Sequence, residues 1–197
     1  MKILSTLTLL SLIIHVNVTM AQKSETKYNL SSSESSIKWM CKDANSEFSG
    51  SIKLKSGHIT MKDDELLSAV IYVDAKSINC SKCGSEKQAR ELTDYMKSTL
   101  FLNTENMDYA VFKMYESKKL ENSNSGNHMV KGNMTIIAFS NEMSFPVFVE
   151  VKKGKLAIEG SLSMNRDLWN LKNPVKEDGV SYSMDSKVLL NFTLRSE

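Results

Sequence analysis

From Met129 to Met164 apolar and polar residues alternate almost without a break, and a turn signal stands wherever the alternation stops. Met134, Ile136 and Ala138 share one parity, with Asn133 and Thr135 on the other. A Ser140-Asn141-Glu142 turn leads to Phe145, Val147, Val149 and Val151 against Ser144 and Glu150. Lys152-Lys153-Gly154 leads to Leu156, Ile158, Leu162 and Met164 against Glu159, Ser161 and Ser163. Strand side chains alternate between faces, so this stretch predicts a three-strand antiparallel meander with one dry face and one wet face. The dry face carries no nucleophile, acid–base pair or metal cluster. It can build a core or hold a greasy ligand, and it offers little for catalysis.

The same period of two recurs in Ile37, Trp39 and Cys41, in Phe48, Gly50, Ile52 and Leu54, and in Leu67, Ala69, Ile71 and Val73 after a polar turn at Lys62-Asp63-Asp64. It returns in Ala110, Phe112 and Met114, and in Val188, Leu190, Phe192 and Leu194. With the meander this gives about eight strands, and an even number of long antiparallel strands invites closure into a barrel, which removes exposed edges. One segment breaks the pattern. Ser85-Glu86-Lys87-Gln88 has the spacing of a capping box, and Ala89, Leu92 and Met96 follow at helical intervals, predicting a short helix from Glu86 to Ser98. Irregular loops are expected at Glu121–Asn127 and Asn170–Tyr182.

Parity also sorts the wall. Ile71, Phe112, Ile136 and Ile158 should face inward and Tyr72, Lys113, Thr135 and Glu159 outward, because a one-residue slip would put a whole apolar row into water. A barrel of this size either fills with side chains or holds one small ligand. Small inward residues (Gly50, Ala69, Ala110, Gly132, Ala138, Gly160) would leave room between Ile52, Leu54, Ile71, Val73, Phe112, Ile136, Ile158 and Leu162. Trp39 and Trp169 read either as core packing or as wall. Arg166 shares parity with Met164 and Leu162, so it reads as a hydrogen-bonded barrel cap or as a contact for a ligand's polar end. The methionines, among them Met134, suit a yielding wall and ordinary core filling alike.

Lys2 precedes a short apolar stretch through Ile14, and Thr19-Met20-Ala21 follows. This is the pattern of a secretory signal peptide over residues 1–21, too short to cross about 30 Å of hydrocarbon. Residues 22–36 are serine-rich and polar, expected as a flexible lead-in with a short strand at Tyr28–Leu30. Residues 37–197 form one domain. Of the 25 basic residues, those other than Lys2 outnumber the 23 acidic ones by one, which gives no reason to expect nucleic acid as a partner.

Candidate chemistry is sparse. Cys80-Ser-Lys-Cys83 could be a disulfide, unbridged thiols, a redox pair or half a metal site, and Cys41 is the third cysteine. A bridge from Cys41 to either partner would close a loop of about 40 residues and stabilise by roughly 4 kcal/mol, more than a bridge within the C-x-x-C. His58 and His128 are isolated and expected to be solvated at strand ends or in loops. Asp63-Asp64-Glu65 lacks the glycine and spaced ligands of a calcium loop. Asn-x-Ser/Thr sequons occur at Asn29, Asn133 and Asn191 among other positions, and the last two of these fall in predicted strands.

Seven short pieces in order resemble the YceI-like lipid-binding family: Gly50–Gly57, Val73–Ile78, Met96-Lys97-Ser98 with Phe101, Ala110-Val111-Phe112, Gly132–Ile136, Phe145-Pro146 and Asn165–Trp169. Phe48 and Tyr95 stand where the family commonly has histidines, Met107-Asp108 where it has Tyr-Pro, and Ala138 where it has a glycine. The resemblance implies a single eight-stranded antiparallel lipocalin-like β-barrel holding a polyisoprenoid or fatty-acyl chain, in a protein secreted to the bacterial periplasm. The expected function is that of a non-enzymatic binding protein with no cofactor, metal or catalytic residue. Its ligand would be lined by Trp39, Ile52, Leu54, Ile71, Val73, Phe112, Met134, Ile136, Ile158, Leu162, Arg166 and Trp169. A thiol-redox role for Cys80 and Cys83, or a filled barrel serving as an interaction module, are the alternatives. No integral membrane span is expected, and self-association into a homodimer is left open.

Overall fold

The computed structural model describes residues 24–43, 46–173 and 184–197. The strands are β1 (Thr26–Asn29), β2 (Ser36–Asp43), β3 (Glu47–Lys62), β4 (Glu65–Lys82), β5 (Tyr109–Lys119), β6 (His128–Ile136), β7 (Phe139–Lys152), β8 (Lys155–Asn165) and β9 (Met184–Arg195), with helix α1 (Glu86–Lys97) between β4 and β5. A short 3-10 turn, Arg166–Trp169, follows β8. The strands hydrogen-bond in the order β3-β2-β9-β8-β7-β6-β5-β4, and β4 returns to β3, which closes the ring. Every pairing is antiparallel. β2 takes the first half of β3, with Ile37 opposite Ile52, and β1 takes the second half, with Tyr28 opposite Ile59. The two short strands therefore share one place in the ring, and the barrel is a closed eight-stranded one.

Alternation builds this barrel. On β8, Leu156, Ile158, Leu162 and Met164 are buried while Glu159, Ser161 and Ser163 are exposed. Across β5, Phe112 is buried and Lys113 is exposed. The interior divides into two apolar clusters along the axis. One lies around Ile59, Phe145 and Leu156, towards the β3–β4 and β7–β8 turns. The other lies around Trp39, Met96 and Trp169, beneath α1 and the 3-10 turn. The second end needs its cover because β4, β6 and β8 end there. α1 supplies it by burying Leu92 and Met96, and its capping box is formed as expected, with Ser85 Oγ accepting from Gln88 N–H and the Gln88 side chain accepting from Ser85 N–H.

Several expectations are corrected. Ser140, Asn141 and Glu142 lie within β7, and the hairpin instead turns on Ile137-Ala138, with Ile136 opposite Phe139. Ala138 is exposed in that turn and leaves no room inside. The short strand expected at Tyr28–Leu30 is present as β1, two residues earlier at its start, with Leu30 buried and Leu30 N–H bonded to Gly57 O at 2.9 Å. β3 runs beyond its predicted span because His58–Met61 pair with β1, and β4 because Asn79, Cys80 and Lys82 pair with Ser51, Gly50 and Ser49. His58 lies inside β3. His128 is buried at the start of β6, its ring nitrogens 3.0 Å from Asn127 Oδ1 and Asp64 O. Val151 keeps its inward parity but is exposed at the strand end. The expected Glu121–Asn127 loop is present. Of the second loop, residues 174–182 lie outside the described residues, as do residues 1–21, read above as a signal peptide.

Candidate functional site: an apolar bore in two chambers

Two cavities lie end to end inside the barrel. The first, about 80 Å³, is walled by Ile71, Phe112, Phe145, Ile158, Leu162 and Phe192 among others. The second, about 130 Å³, is walled by Trp39, Ile52, Ile78, Met96, Phe101 and Ile136 among others, beneath α1. Ile37, Val73, Met134 and Leu190 border both, so they form a waist between two chambers of one bore. Among the described residues neither chamber exposes a polar atom on its wall. An engineered apolar cavity of about 150 Å³ stays dry and takes benzene, so spaces of this order lined by carbon are unfavourable for water and open to hydrocarbon.

Ten of the twelve residues expected to line a ligand border these chambers: Ile71, Phe112, Ile158 and Leu162 the first, Trp39, Ile52, Ile136 and Arg166 the second, Val73 and Met134 both. Leu54 and Trp169 do not. Leu54 is buried in the first cluster away from the cavity. Trp169 is fully buried as the plug of the 3-10 turn, its Nε1–H donating to Met134 O at 3.0 Å. Leu190 and Phe192 on β9 shape the bore although their parity was read only as a strand. Phe101, Leu102 and Leu171 come from irregular segments, where period-two alternation gives no signal.

The inward glycines work differently from the expectation. A methyl group on Gly132 would strike the Phe112 ring and Lys113 O, and one on Gly160 would strike the Phe192 ring. These glycines do not leave voids. They let two aromatic rings reach across to the neighbouring strand, and the rings themselves become chamber wall. Gly50 is similarly filled by Asn79 O and Trp39, whose Nε1–H donates to that carbonyl at 3.0 Å.

Among the described residues Arg166 is the one charged group on the bore, and it is buried. Its Nε donates to Asp185 O at 3.2 Å and Nη2 donates to Met184 O at 3.0 Å. Nη1 donates to Leu171 O, and Nη2 also reaches Asn173 Oδ1 at 2.5 Å. Asp167, largely exposed, lies 3.6 Å from Nη1. Four protein acceptors converge on the guanidinium, which clasps the start of β9 to the segment after the 3-10 turn. Its side chain acts as the hydrogen-bonded cap. Nearby, Tyr95 donates to Lys172 O at 3.1 Å, and burial raises the pKa of its phenol above the ordinary 10.0 against the opposing pull of Arg166.

Cys80 and Cys83 form a disulfide, with Cα atoms 6.0 Å apart, and both residues are buried. It joins the end of β4 to the turn before α1. Cys41 is buried outside this bridge, its thiol donating to Asp185 O at 3.2 Å. Among the described residues no group of three or more His, Cys, Asp or Glu is placed to hold a metal ion, and no helix is long and apolar enough to cross a membrane.

A closed antiparallel barrel with an apolar bore is a lipocalin-like barrel. Residues 28–195 match the YceI-like domain, and the chain belongs to that family. Among solved structures it is similar to Burkholderia cenocepacia BcnA, at 17% identity and a TM-score of 0.68, over 85% of this chain and 99% of that one. It is also similar to a polyisoprenoid binding domain from Saccharophagus degradans implicated in plant cell wall breakdown, at 11% identity and a TM-score of 0.60, over 86% and 97% of the two chains. A YceI protein of Campylobacter jejuni aligns at 13% identity and a TM-score of 0.51, over 73% and 81%. No curated protein matches the chain.

Proposed function

We propose that this protein is a secreted, non-enzymatic carrier that holds one long apolar lipid, a prenyl or fatty-acyl chain, along the barrel axis, and that it works in a bacterial periplasm. The two-chambered carbon-lined bore is the observation that carries this reading. The polyisoprenoid binding described for the Saccharophagus degradans domain supports the ligand class. The N-terminal pattern of Lys2, an apolar stretch and Thr19-Met20-Ala21 supports secretion.

The bore is bordered on β9 from Leu194 in the first chamber to Met184 in the second. At about 3.3 Å per residue and a strand tilt near 40°, that span covers roughly 25 Å along the axis. A long extended chain, prenyl or acyl, suits a bore of that length. Each buried CH₂ contributes about 0.8 kcal/mol, so such a chain binds without directional contacts. Arg166, its donors already taken by protein oxygens, supports a ligand with no charged group inside the bore.

Mass spectrometry of organic extracts from the purified native protein tests this directly. A reproducible isoprenoid or long acyl species is expected. Lipid-free preparations that also take up neither prenyl nor acyl probes would sink the reading. Ile136→Trp should block uptake, whereas Thr135→Trp, on the outer face, should leave it unchanged.

A further inference from the structure

Two neighbouring strands of the barrel part before they end. β4 and β5 pair from Asp74 opposite Tyr109 to Ala69 opposite Met114, and their register stops there. Yet β4 begins at Glu65 and β5 runs on to Lys119. The cause lies in β5. Met114 pairs with Gly132 and Glu116 with Lys131, so Tyr115 is an extra, bulged residue, and a bulge bends its strand and ends a ladder. The Tyr115 side chain is held on the side away from β4: its hydroxyl donates to Glu142 of β7, and Lys131 Nζ of β6 lies 5.9 Å from its ring centre. β4 meanwhile stays with β3, Leu66 opposite Met61.

A cavity of about 470 Å³ occupies the gap, lined from β4 by Glu65, Leu66 and Leu67 and from β5 by Tyr115–Lys119. Both faces of the barrel wall contribute to it. Leu67 and Glu116 are exposed, whereas Leu66 is buried and also lines the first chamber. Ser117 lies opposite Val130, another wall residue of that chamber, and so shares its inward face. A space bordered by inward and outward side chains of adjacent strands passes through the wall. Ser117 Oγ is buried there and, among the described residues, makes no hydrogen bond. Native proteins rarely leave a buried hydroxyl unpaired. At the α1 end of the bore, by contrast, Trp169 and Arg166 already donate to protein oxygens.

We propose that this gap holds the polar end of the lipid, an uncharged head of the hydroxyl class, with Ser117 Oγ as its hydrogen-bond partner and the chain running past Leu66 into the first chamber. The proposal rests on the carrier reading above and adds to it an orientation and a head chemistry. Charge selects the neutral head. The ionisable side chains of the gap balance, Glu65 and Glu116 against Lys118 and Lys119, and Lys119 lies 3.8 Å from Asp64. A carboxylate or phosphate brought to Ser117 would lose its hydration for a single neutral partner, whereas a hydroxyl both donates to and accepts from that oxygen.

Photo-cross-linking locates the two ends of the ligand. Geranylgeraniol with a diazirine beside its hydroxyl should label Glu65–Leu67 and Tyr115–Lys119, read by peptide mass spectrometry. With the diazirine at its tail, the same chain should label wall residues remote from the gap, such as Met134 and Ile136. Head labelling beneath α1 overturns the proposal and leaves the carrier standing. No labelling of the bore by either probe refutes the carrier, and the proposal with it. Ser117→Ala should weaken geranylgeraniol about fivefold and leave the matching hydrocarbon without the hydroxyl unchanged. Its unfolding midpoint should equal or exceed that of the unaltered protein, because the hydroxyl it removes is unpaired. No loss for the alcohol, or an equal loss for both ligands, overturns the role of Ser117. Geranylgeranoic acid, the same chain ending in a carboxylate, should bind the unaltered protein more weakly than the alcohol, and tighter binding overturns the neutral head.

Discussion

Arg166 shows what a single residue contributes and how far parity can read it. The alternation placed it inward beside Met164, and the fold bears that out. Its partners are backbone carbonyls of Leu171, Met184 and Asp185, and backbone oxygens from separate segments leave no trace in a sequence. Removing a partner from a buried charged network costs about 3–5 kcal/mol. Arg166→Lys should lose most of that in urea unfolding, because an ammonium cannot reproduce the planar fork. Asp167→Asn should change stability by less than about 1 kcal/mol, since that carboxylate is largely exposed. Equal losses in both variants would show that the ion pair, not the clasp, holds the cap. On the outer wall, Asp108 sits below its ordinary 3.8 because Lys55 donates to its carboxylate, with the attraction of Lys55 and Lys76 adding to this. A folded pKa below the unfolded one stabilises fully above the unfolded value and is lost as pH falls through the folded one. Asp108→Asn should therefore flatten the acid side of the stability profile below about pH 4, a shift read by thermal unfolding across pH.

At the scale of elements, strand existence was legible wherever alternation was long, and boundaries were not. The Ser140-Asn141-Glu142 signal had turn composition, yet the chain turns earlier on Ile137-Ala138, with Ile137 at φ 56°. Tertiary pairing overrode turn preference there: the tight turn keeps Phe139, Asn141, Met143 and Phe145 in register with Ile136, Met134, Gly132 and Val130. α1 was legible in full because its capping box and its apolar spacing are both local. What holds it to the barrel was not, since C-x-x-C fits several chemistries. The bridge at Cys80–Cys83 closes only a few residues, worth about 2 kcal/mol in the chain-entropy account. Thr93 Oγ also accepts from Cys80 N–H at 3.0 Å, a second tie between β4 and α1. The double change Cys80→Ser with Cys83→Ser should thus lower the unfolding midpoint while leaving far-ultraviolet circular dichroism and lipid uptake unchanged. Loss of uptake in the folded double variant would revive a functional role for the thiols.

Across the whole molecule, the bore follows from a conflict between closure and filling. Eight strands enclose an interior that side chains can nearly occupy, and Phe112 and Phe192 lie across Gly132 and Gly160 to occupy part of it. What remains is pinched where Ile37, Val73, Met134 and Leu190 meet. Inward parity named the wall residues, but not the waist, because a waist depends on how rings and strand tilt share volume across the barrel. Met134 is its most adaptable member, an unbranched thioether that can yield to a passing chain. Met134→Trp should close the waist at a cost of about 1–3 kcal/mol in stability. Trp169 should remain anchored, because it bonds the backbone carbonyl of residue 134 and not its side chain. A ligand long enough to need both chambers should then lose at least about tenfold in affinity, equivalent to roughly 1.4 kcal/mol. One short enough for a single chamber should bind as before. Titrating prenyl alcohols of increasing length against both proteins separates the outcomes: a length-dependent loss identifies one continuous ligand path, and a uniform loss at every length would mean that the chambers do not act as a single bore.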